Sequence, residues 1–250
     1  MRNGRFVMVD IHTHILPGVD DGSDCFTESV QMVEMAYETG VDRIIVTPHC
    51  NQRGRYENYW SGELEQLFYQ LKNRIKEEEI PVELFLGMEI MASQDLISLI
   101  EKQQVVSLNG SRYYLIEFSF DTEISWMNRM LQSVLEMGKI PVIAHPERYF
   151  EVQKFPDIVQ EWKRRGIIIQ LNKGSVFGAF GRRCKKAAKY LMKNDWIHCI
   201  ASDAHSPYMR TTSMEELQDY LLDRYSYQKM EEWTTKNPNA IIENKLIEGL

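Results

Sequence analysis

The sequence predicts an α/β protein, a single-domain (β/α)7 barrel, and three observations carry the prediction. Seven short apolar runs, at 6–10, 43–46, 82–86, 113–118, 140–144, 166–171 and 197–201, alternate with longer amphipathic segments. The runs are apolar almost throughout, as strands buried on both faces of a parallel sheet are. Nearly every run ends in a histidine or a carboxylate. Seven β-α units close most economically as a barrel, and 250 residues make one large domain, 1–250, with no linker, low-complexity tract or fixed-period repeat.

The first run, Phe6-Val7-Met8-Val9, meets Asp10 after four apolar positions, too few for a secretory signal. A helix over 27–39 places Val30, Val33 and Tyr37 on one face, follows the cap-capable Ser23-Asp24, and stops at Gly40. Strand two begins three residues later. Further helices are expected at 57–79, 93–104, 124–137, 155–165, 182–193 and 213–224. A last one follows Asn237-Pro238 and carries Ile241, Ile242 and Leu246.

Hydrophobic residues at 44% and charged residues at 26% describe a globular chain, and no stretch reaches the roughly 18 apolar residues of a membrane span. Cys25, Cys50, Cys184 and Cys199 form no C-x-x-C pair, which predicts reduced thiols and a cytoplasmic location. A net charge of −7 argues against a nucleic-acid surface. Bound divalent cations would nonetheless turn the local field positive, so an anionic substrate could bind.

Nine candidate metal donors recur along the chain: His12, His14, Asp21, His49, Glu89, Glu117, His145, Asp203 and His205. Scattered imidazoles and carboxylates describe a polynuclear catalytic centre that suits Mn, Fe or Zn, not a zinc finger. In a (β/α) barrel the strand ends they occupy form the active-site face. The spacing of His12-Thr13-His14 aims both imidazoles to one side of an extended segment, and Asp203-Ala204-His205 repeats that logic. Glu89 and Glu117 end apolar runs, where a carboxylate needs a cation, either a metal or a buried Arg or Lys. Asp20 and Asp21, in Leu16-Pro17-Gly18-Val19-Asp20-Asp21-Gly22, read first as turn and cap residues.

In Ala144-His145-Pro146-Glu147-Arg148 the guanidinium could hold a phosphate bidentately or pair with a surface acid, and Arg210 carries the same two readings. His198 has the parity of Ile200 and is expected to face the helices, outside the site. Asp10 could orient an imidazole or serve the barrel base. The basic and aromatic segment 51–60 could line an aryl-phosphate pocket or cap the barrel. The sixth run leaves through Gln170-Leu171-Asn172-Lys173-Gly174-Ser175, which could bond a substrate or turn the chain.

With His12-Thr13-His14, Thr47-Pro48-His49, Gly87-Met88-Glu89, Leu115-Ile116-Glu117-Phe118, Ile143-Ala144-His145-Pro146-Glu147-Arg148 and Ala201-Ser202-Asp203-Ala204-His205 in order, the chain resembles the polymerase-and-histidinol-phosphatase (PHP) superfamily. Within it, the chain is most similar to the bacterial manganese-dependent tyrosine-protein phosphatases of capsule and exopolysaccharide operons. The resemblance spans essentially the whole chain and implies a distorted, TIM-like barrel with three divalent ions, manganese by preference and Fe or Zn otherwise. It implies His12, His14, Glu89 and Asp203 on a first ion, Glu89, Glu117 and His145 on a second, and Asp21, His49 and His205 on a third. Arg148 and Arg210 match arginines that hold the substrate phosphate. A histidine commonly stands at the position of Asp21 in histidinol-phosphate phosphatases, so the Asp points to the tyrosine-phosphatase branch. Residues 2–5 extend an N-terminus that starts nearer the first strand in such proteins, and 172–175 is a variable stretch.

The implied reaction is hydrolysis of phosphotyrosine by a hydroxide bridging two ions, attacking phosphorus in line while two arginines neutralise the equatorial oxygens. The implied partner is a phosphotyrosine protein, the tyrosine-rich tail of a bacterial kinase that controls polysaccharide export, with no nucleic acid and no membrane insertion. Histidinol-phosphate hydrolysis, exonuclease action on DNA ends and a binding module without turnover are the other readings. The acidic balance counts against the exonuclease. The cysteine-phosphatase loop C-x5-R is absent, because the residues six beyond the four cysteines are Gln31, Tyr56, Tyr190 and His205. Cys50→Ser is therefore expected to keep most phosphatase activity. Near-total loss in a peptide assay, with metals still bound, would refute the metal-dependent route.

Overall fold

The computed structural model describes residues 6–248, so the extension at 2–5 and the last two positions of the expected 1–250 domain lie outside the described residues. Strands β1 (Met8–Thr13), β2 (Val41–Val46) and β4 (Glu83–Leu86) form one parallel sheet in the order β1-β2-β4. Strands β3 (His49–Cys50), β5 (Glu89–Met91), β6 (Tyr113–Glu117), β7 (Ile140–Ala144), β8 (Ile168–Asn172) and β9 (Cys199–Ala201) form a second in that order, also parallel.

The seven apolar runs all become strands, and two strand lines continue past a break. The second breaks at Thr47-Pro48, where proline has no amide hydrogen to give a ladder. The third breaks at Gly87-Met88, where a Cβ on Gly87 would lie 2.8 Å from Leu108 Cδ2 and 3.0 Å from Ile45 Cγ2. The Gly87 amide donates to Val46 O (2.9 Å) and the Glu89 amide to Pro48 O (3.1 Å), carrying the pairing across both breaks. The first and last strand lines meet at their C-terminal ends through Asp203 N to His12 O and His14 N to Ala204 O, both 2.9 Å, and a parallel bridge between Thr13 and Ala204.

Helices α1 (Phe26–Glu38), α2 (Gly62–Glu77), α3 (Leu96–Glu101), α4 (Ile124–Glu136), α5 (Phe150–Lys154), α6 (Ile158–Arg164), α7 (Lys173–Phe177), α8 (Arg182–Lys193), α9 (Glu215–Arg224), α10 (Tyr227–Glu231) and α11 (Asn237–Ile242) fill the connections. The Ser23-Asp24 cap does not form. Cys25 stands at the N-cap of α1, and the Ser23 hydroxyl is engaged with Cys25 O and Ser29 Oγ, each at 2.9 Å. Helix α2 starts five residues later than expected, because the residues before it are held by other partners: Asn58 Nδ2 donates to Val19 O (2.8 Å) and His49 O (2.9 Å), and Trp60 N to Gln104 O (2.8 Å). Ser61 then caps it, accepting from Leu64 N.

Strand alternation splits the core in two. Tyr113, Leu115, Val142, Ala144, Ile168, Cys199 and Ala201 pack with Val9, Ile11 and, from α11, Ile241 and Ile242. Their neighbours Tyr114, Ile116, Ile143, Ile169 and Ile200 pack on the opposite face with the helices. Each fully buried aliphatic side chain contributes roughly 2 kcal/mol. Glu117, Gln170 and Asp203 continue the parity of Leu115, Ile168 and Ala201, so the first face ends in polar groups. Strand β1 runs on to Thr13, which puts His12 inside a strand, and a register irregularity between Asp10 and Thr13 accompanies its turn toward that face.

The loop after β1 folds back closely. A Cβ on Gly22 would stand 2.0 Å from His14 O, which already accepts from Ser23 N at 2.9 Å. Gly22→Ala is expected to destabilise the protein by about 2 kcal/mol, as overpacking against backbone does. Urea unfolding measures it, and a change under about 0.5 kcal/mol, the size of an ordinary surface substitution, would show that this approach is not constraining.

Candidate metal centre

The structure brings all nine candidate donors to one end of the strands. Glu89, fully buried at the start of β5, is the hub. Its Oε1 lies 3.2 Å from His12 Nε2 and 3.0 Å from His145 Nε2, and its Oε2 lies 3.3 Å from His14 Nε2 and 2.8 Å from His49 Nδ1. Asp203 Oδ1 sits 3.5 Å from His12 Nε2 and 3.4 Å from His14 Nε2. Glu117 Oε1 is 3.6 Å from His145 Nε2. Asp21 Oδ1 stands between His49 Nε2 (3.3 Å) and His205 Nε2 (3.6 Å). Four overlapping triplets have donor atoms within 4.8 Å of one another: His12/His14/Asp203, His12/Glu89/His145, His49/Glu89/Glu117 and His14/His49/His205.

Several distortions of backbone aim these groups. His145 (φ 32°), Asp203 (φ 49°) and Arg210 (φ 52°) adopt left-handed conformations, which a non-glycine residue holds only when its surroundings impose them. Thr13, between His12 and His14, turns away and donates to Ile45 O at 3.0 Å.

Electrostatics show how crowded the cluster is. Burial, aided by the adjacent Glu89 charge, pushes the Glu117 carboxyl up to about 8. Burial lowers His145 to about 4, and burial together with the charge of His14 lowers His205 to about 3. His49 rises to about 9, because Glu89 outweighs its burial. Burial alone would raise Asp203, but His12 and Arg210 hold it well below the usual carboxylate range. Glu89 Oε2, His145 Nδ1 and His205 Nε2 are buried with no hydrogen-bond partner among the described residues. Glu89 Oε2 is close to two imidazoles yet outside hydrogen-bond geometry with either, as expected of donors that converge on a cation. The donor set therefore fits divalent metal ions.

A further set of residues, none of them counted among the donors on sequence, holds the donors, and Gln170 and Asn172 of the 170–175 stretch belong to it. Asp20, left to a turn role on sequence, accepts from His14 Nδ1 and from the His49 amide, each at 2.8 Å. Gln170 donates its amide to Leu171 O (2.8 Å), which presents Oε1 to His12 Nδ1 at 2.9 Å. Both contacts place a proton on Nδ1 and leave Nε2 as the free donor. Asn172 donates to Asp203 Oδ2. A polar residue inside an apolar strand was the available signal for Gln170; nothing local marks Asp20 apart from Asp21. Asp10 orients no imidazole: it accepts from the amides of His12 (3.3 Å) and Ser202 (3.0 Å), tying β1 to the chain after β9. His198 stays outside the site, accepting from Ile169 N at 3.0 Å. Cys50 is buried and pushed up to about 12, so it is no thiolate.

The donors open onto a cavity of about 340 Å³ that Arg148 and Arg210 also line. Arg148 Nη1 lies 3.3 Å and Arg210 Nη2 2.6 Å from Asp203 Oδ2. The Arg148 guanidinium is held between the rings of Phe120 (4.6 Å) and Phe180 (4.2 Å). From segment 51–60, Gln52 and Arg55 line the cavity, and Tyr56 stacks on His49 with centroids 5.6 Å apart.

Residues 8–243 match the family model described as "Capsular polysaccharide synthesis, CpsB/CapC". The chain belongs to the CpsB/CapC family. It is 34% identical over 240 residues to tyrosine-protein phosphatase YwqE of Bacillus subtilis, covering 96% of this chain and 93% of that one. It is also 34% identical over 245 residues to tyrosine-protein phosphatase CpsB of Streptococcus pneumoniae, covering 96% and 100%. A crystal structure from work on those two proteins, described as unique metal-dependent tyrosine phosphatases, superposes with a TM-score of 0.87 over 96% of each chain at 34% identity. The phosphotriesterase homology protein of Escherichia coli, 10% identical with a TM-score of 0.60 over 93% of this chain and 97% of that one, shares the fold.

For this CpsB/CapC-family chain, metal uptake at neutral pH is expected to release protons. Glu117, up at about 8, and His49, at about 9, are protonated there and must lose protons to act as donors, whereas His145 and His205 are already neutral. Apparent metal affinity accordingly rises with pH until Glu117, at about 8, and His49, at about 9, have lost their protons. Calorimetry in buffers of different ionisation enthalpy counts the protons; buffer-independent heats would contradict this donor assignment.

Proposed function

We propose that this chain is a metal-dependent protein-tyrosine phosphatase acting in capsular or exopolysaccharide synthesis. The observation that carries the reading is one cavity lined by six of the nine donors (Asp21, His49, Glu89, Glu117, His145 and Asp203) and by two arginines, with His12, His14 and His205 in contact with those six. The phosphatase names of its relatives support the same reading. The chain is read as one domain in which seven strand lines form a distorted (β/α)7 barrel, with the bonds between β1 and the chain after β9 as its closing seam. Three divalent ions are proposed, manganese first and Fe or Zn as alternatives. His12, His14, Glu89 and Asp203 would hold one, Glu89, Glu117 and His145 another, and Asp21, His49 and His205 the third. The proposed substrate is the phosphorylated tyrosine-rich tail of a bacterial tyrosine kinase, met in the cytoplasm; among the described residues no helix is long and apolar enough to cross a membrane.

Bound divalent ions supply Lewis acidity toward the phosphoryl oxygens and an activated water. The protein's own groups do the rest. Asp20 and Gln170 keep the Nδ1 protons of His14 and His12, so both Nε2 atoms stay available. Arg148 and Arg210 face the phosphate and neutralise charge that grows on its equatorial oxygens. The Phe120 and Phe180 rings hold the Arg148 plane in place, and Phe120 and Met91 offer the substrate ring an apolar wall. A phenol leaves with an ordinary pKa of about 10, which lowers the need for a strong general acid.

The test gives metal-stripped and manganese-loaded protein a phosphotyrosine peptide, histidinol phosphate and single-stranded DNA in parallel. Manganese-dependent phosphate release from the peptide is expected; its absence refutes the proposal. His14→Ala is expected to lower metal content and rate together, while Arg148→Ala keeps the metal and loses about a hundredfold in kcat/KM. Equal metal loss in both variants would make Arg148 structural.

A further inference from the structure

The cavity above the donors does not end at Arg148. Phe120 and Arg148 also line a second cavity of about 440 Å³ beside the start of α8. Phe150, Gln153 and Arg183 line both that space and a third, of about 660 Å³, which runs to Phe155 and Tyr190. Through these shared lining residues the three spaces adjoin one another along a groove. Its aromatic residues are unusually exposed for their type: Phe120 36%, Phe150 52%, Phe155 60% and Tyr190 39%.

The wall that α8 contributes is strongly basic. Its sequence, RRCKKAAKYLMK, has six cations and no acid, on a chain whose net charge is −7. Among the described residues none of the six makes an ion pair, and Arg182, Arg183 and Lys186 are exposed along the groove. The acids nearby are engaged: Asp157 accepts from Tyr190 OH at 2.8 Å and Glu151 pairs with Lys154 at 2.7 Å.

Exposed aromatic rings beside uncompensated cations, in a groove that starts at the catalytic cavity, call for an anionic chain with apolar side chains. We infer that the α8 groove docks the acidic polypeptide that flanks the phosphotyrosine, with Arg182, Arg183 and Lys186 meeting its carboxylates or further phosphates and Phe150 and Phe155 its apolar residues. This rests on the phosphotyrosine reading of the cavity. It adds a substrate class: peptides with acidic flanks on the side that lies along α8 are preferred over neutral ones, and the preference falls with salt as interactions between exposed charges do.

The test uses the manganese-loaded full chain and the variant R182E/R183E/K186E. Small aryl phosphate (p-nitrophenyl phosphate) reads the catalytic cavity without the groove, and the variant is expected to stay within about twofold of wild type on it. On a phosphotyrosine peptide with acidic flanks the variant's KM is expected to rise at least about tenfold with kcat little changed, and on a neutral-flank peptide to hold. Fluorescence anisotropy with the same acidic peptide left unphosphorylated measures docking without turnover, in wild type across a salt series as well as in the variant. Equal wild-type binding of acidic and neutral peptides, or an acidic peptide that the variant binds as well as wild type does, overturns the groove. Displacement of the peptide by a single-stranded oligonucleotide of equal length at lower concentration overturns the peptide assignment. If no phosphotyrosine is hydrolysed but the acidic peptide still binds through α8, the phosphatase reading fails and the groove stands.

Discussion

Glu89 is the constraint on which the site depends. A fully buried carboxylate with four imidazoles within 3.3 Å cannot be neutral to its surroundings. Leaving it ionised and unpaired would cost several kcal/mol, and adding Glu117 beside it makes the problem worse, as the climb of Glu117 to about 8 records. Without cations the cluster balances itself by keeping protons on Glu117, on His49 and on His14, which Asp20 holds well above the ordinary imidazole value against its burial. Divalent ions in the same space would replace those protons with charge that every donor can share. The partnerless atoms Glu89 Oε2, His145 Nδ1 and His205 Nε2 mark where proton bookkeeping alone leaves groups unsatisfied.

Such a cluster has to be imposed on the chain from below. Left-handed backbone at His145, Asp203 and Arg210 costs on the order of 1 kcal/mol or more at each residue, and Pro48 has no amide hydrogen to give a ladder. Apolar packing on both faces of the strands offsets this, and Asp10 fastens the amides of His12 and Ser202 just beneath the donors. Lys173 plays the matching part for the loop that presents Arg210. Its buried ammonium donates to the carbonyls of Thr211 (2.6 Å) and Ser213 (2.5 Å), and burial lowers it to about 8.

The strand runs and their terminal donors were legible because two independent signals coincide there: near-continuous apolarity, which a parallel sheet demands, and side chains that such a setting tolerates only with a cation. Helix α8 was legible to the residue because Gly181 precedes it and its cations and apolar residues follow a helical period. Other features depend on partners distant in sequence. Nothing near Gln170 says that its Oε1 meets His12, 158 positions away, and nothing near Arg148 announces Phe120 and Phe180 on either side of it. Asp20 and Asp21 carry the same side chain in the same turn, and only the fold sends one to His14 Nδ1 and the other between His49 and His205. The α1 cap failed for a similar reason, because the Ser23 hydroxyl has better-placed partners in Cys25 O and Ser29 Oγ.

Asp203 joins the two halves of the chemistry. Its Oδ1 faces His12 and His14 on the donor side, while its Oδ2 takes Arg148, Arg210 and Asn172 on the cavity side. Positive charge gathered at Oδ1 weakens the hold of Oδ2 on the guanidinium groups, since one delocalised carboxylate charge serves both. On the proposed reading the arginines would then be freer to turn to an incoming phosphate, and Arg148 would do so while resting on the rings of Phe120 and Phe180. On that reading, filling the donor side and readying the phosphate side would be one electrostatic event, running through a residue whose own left-handed backbone holds it between them.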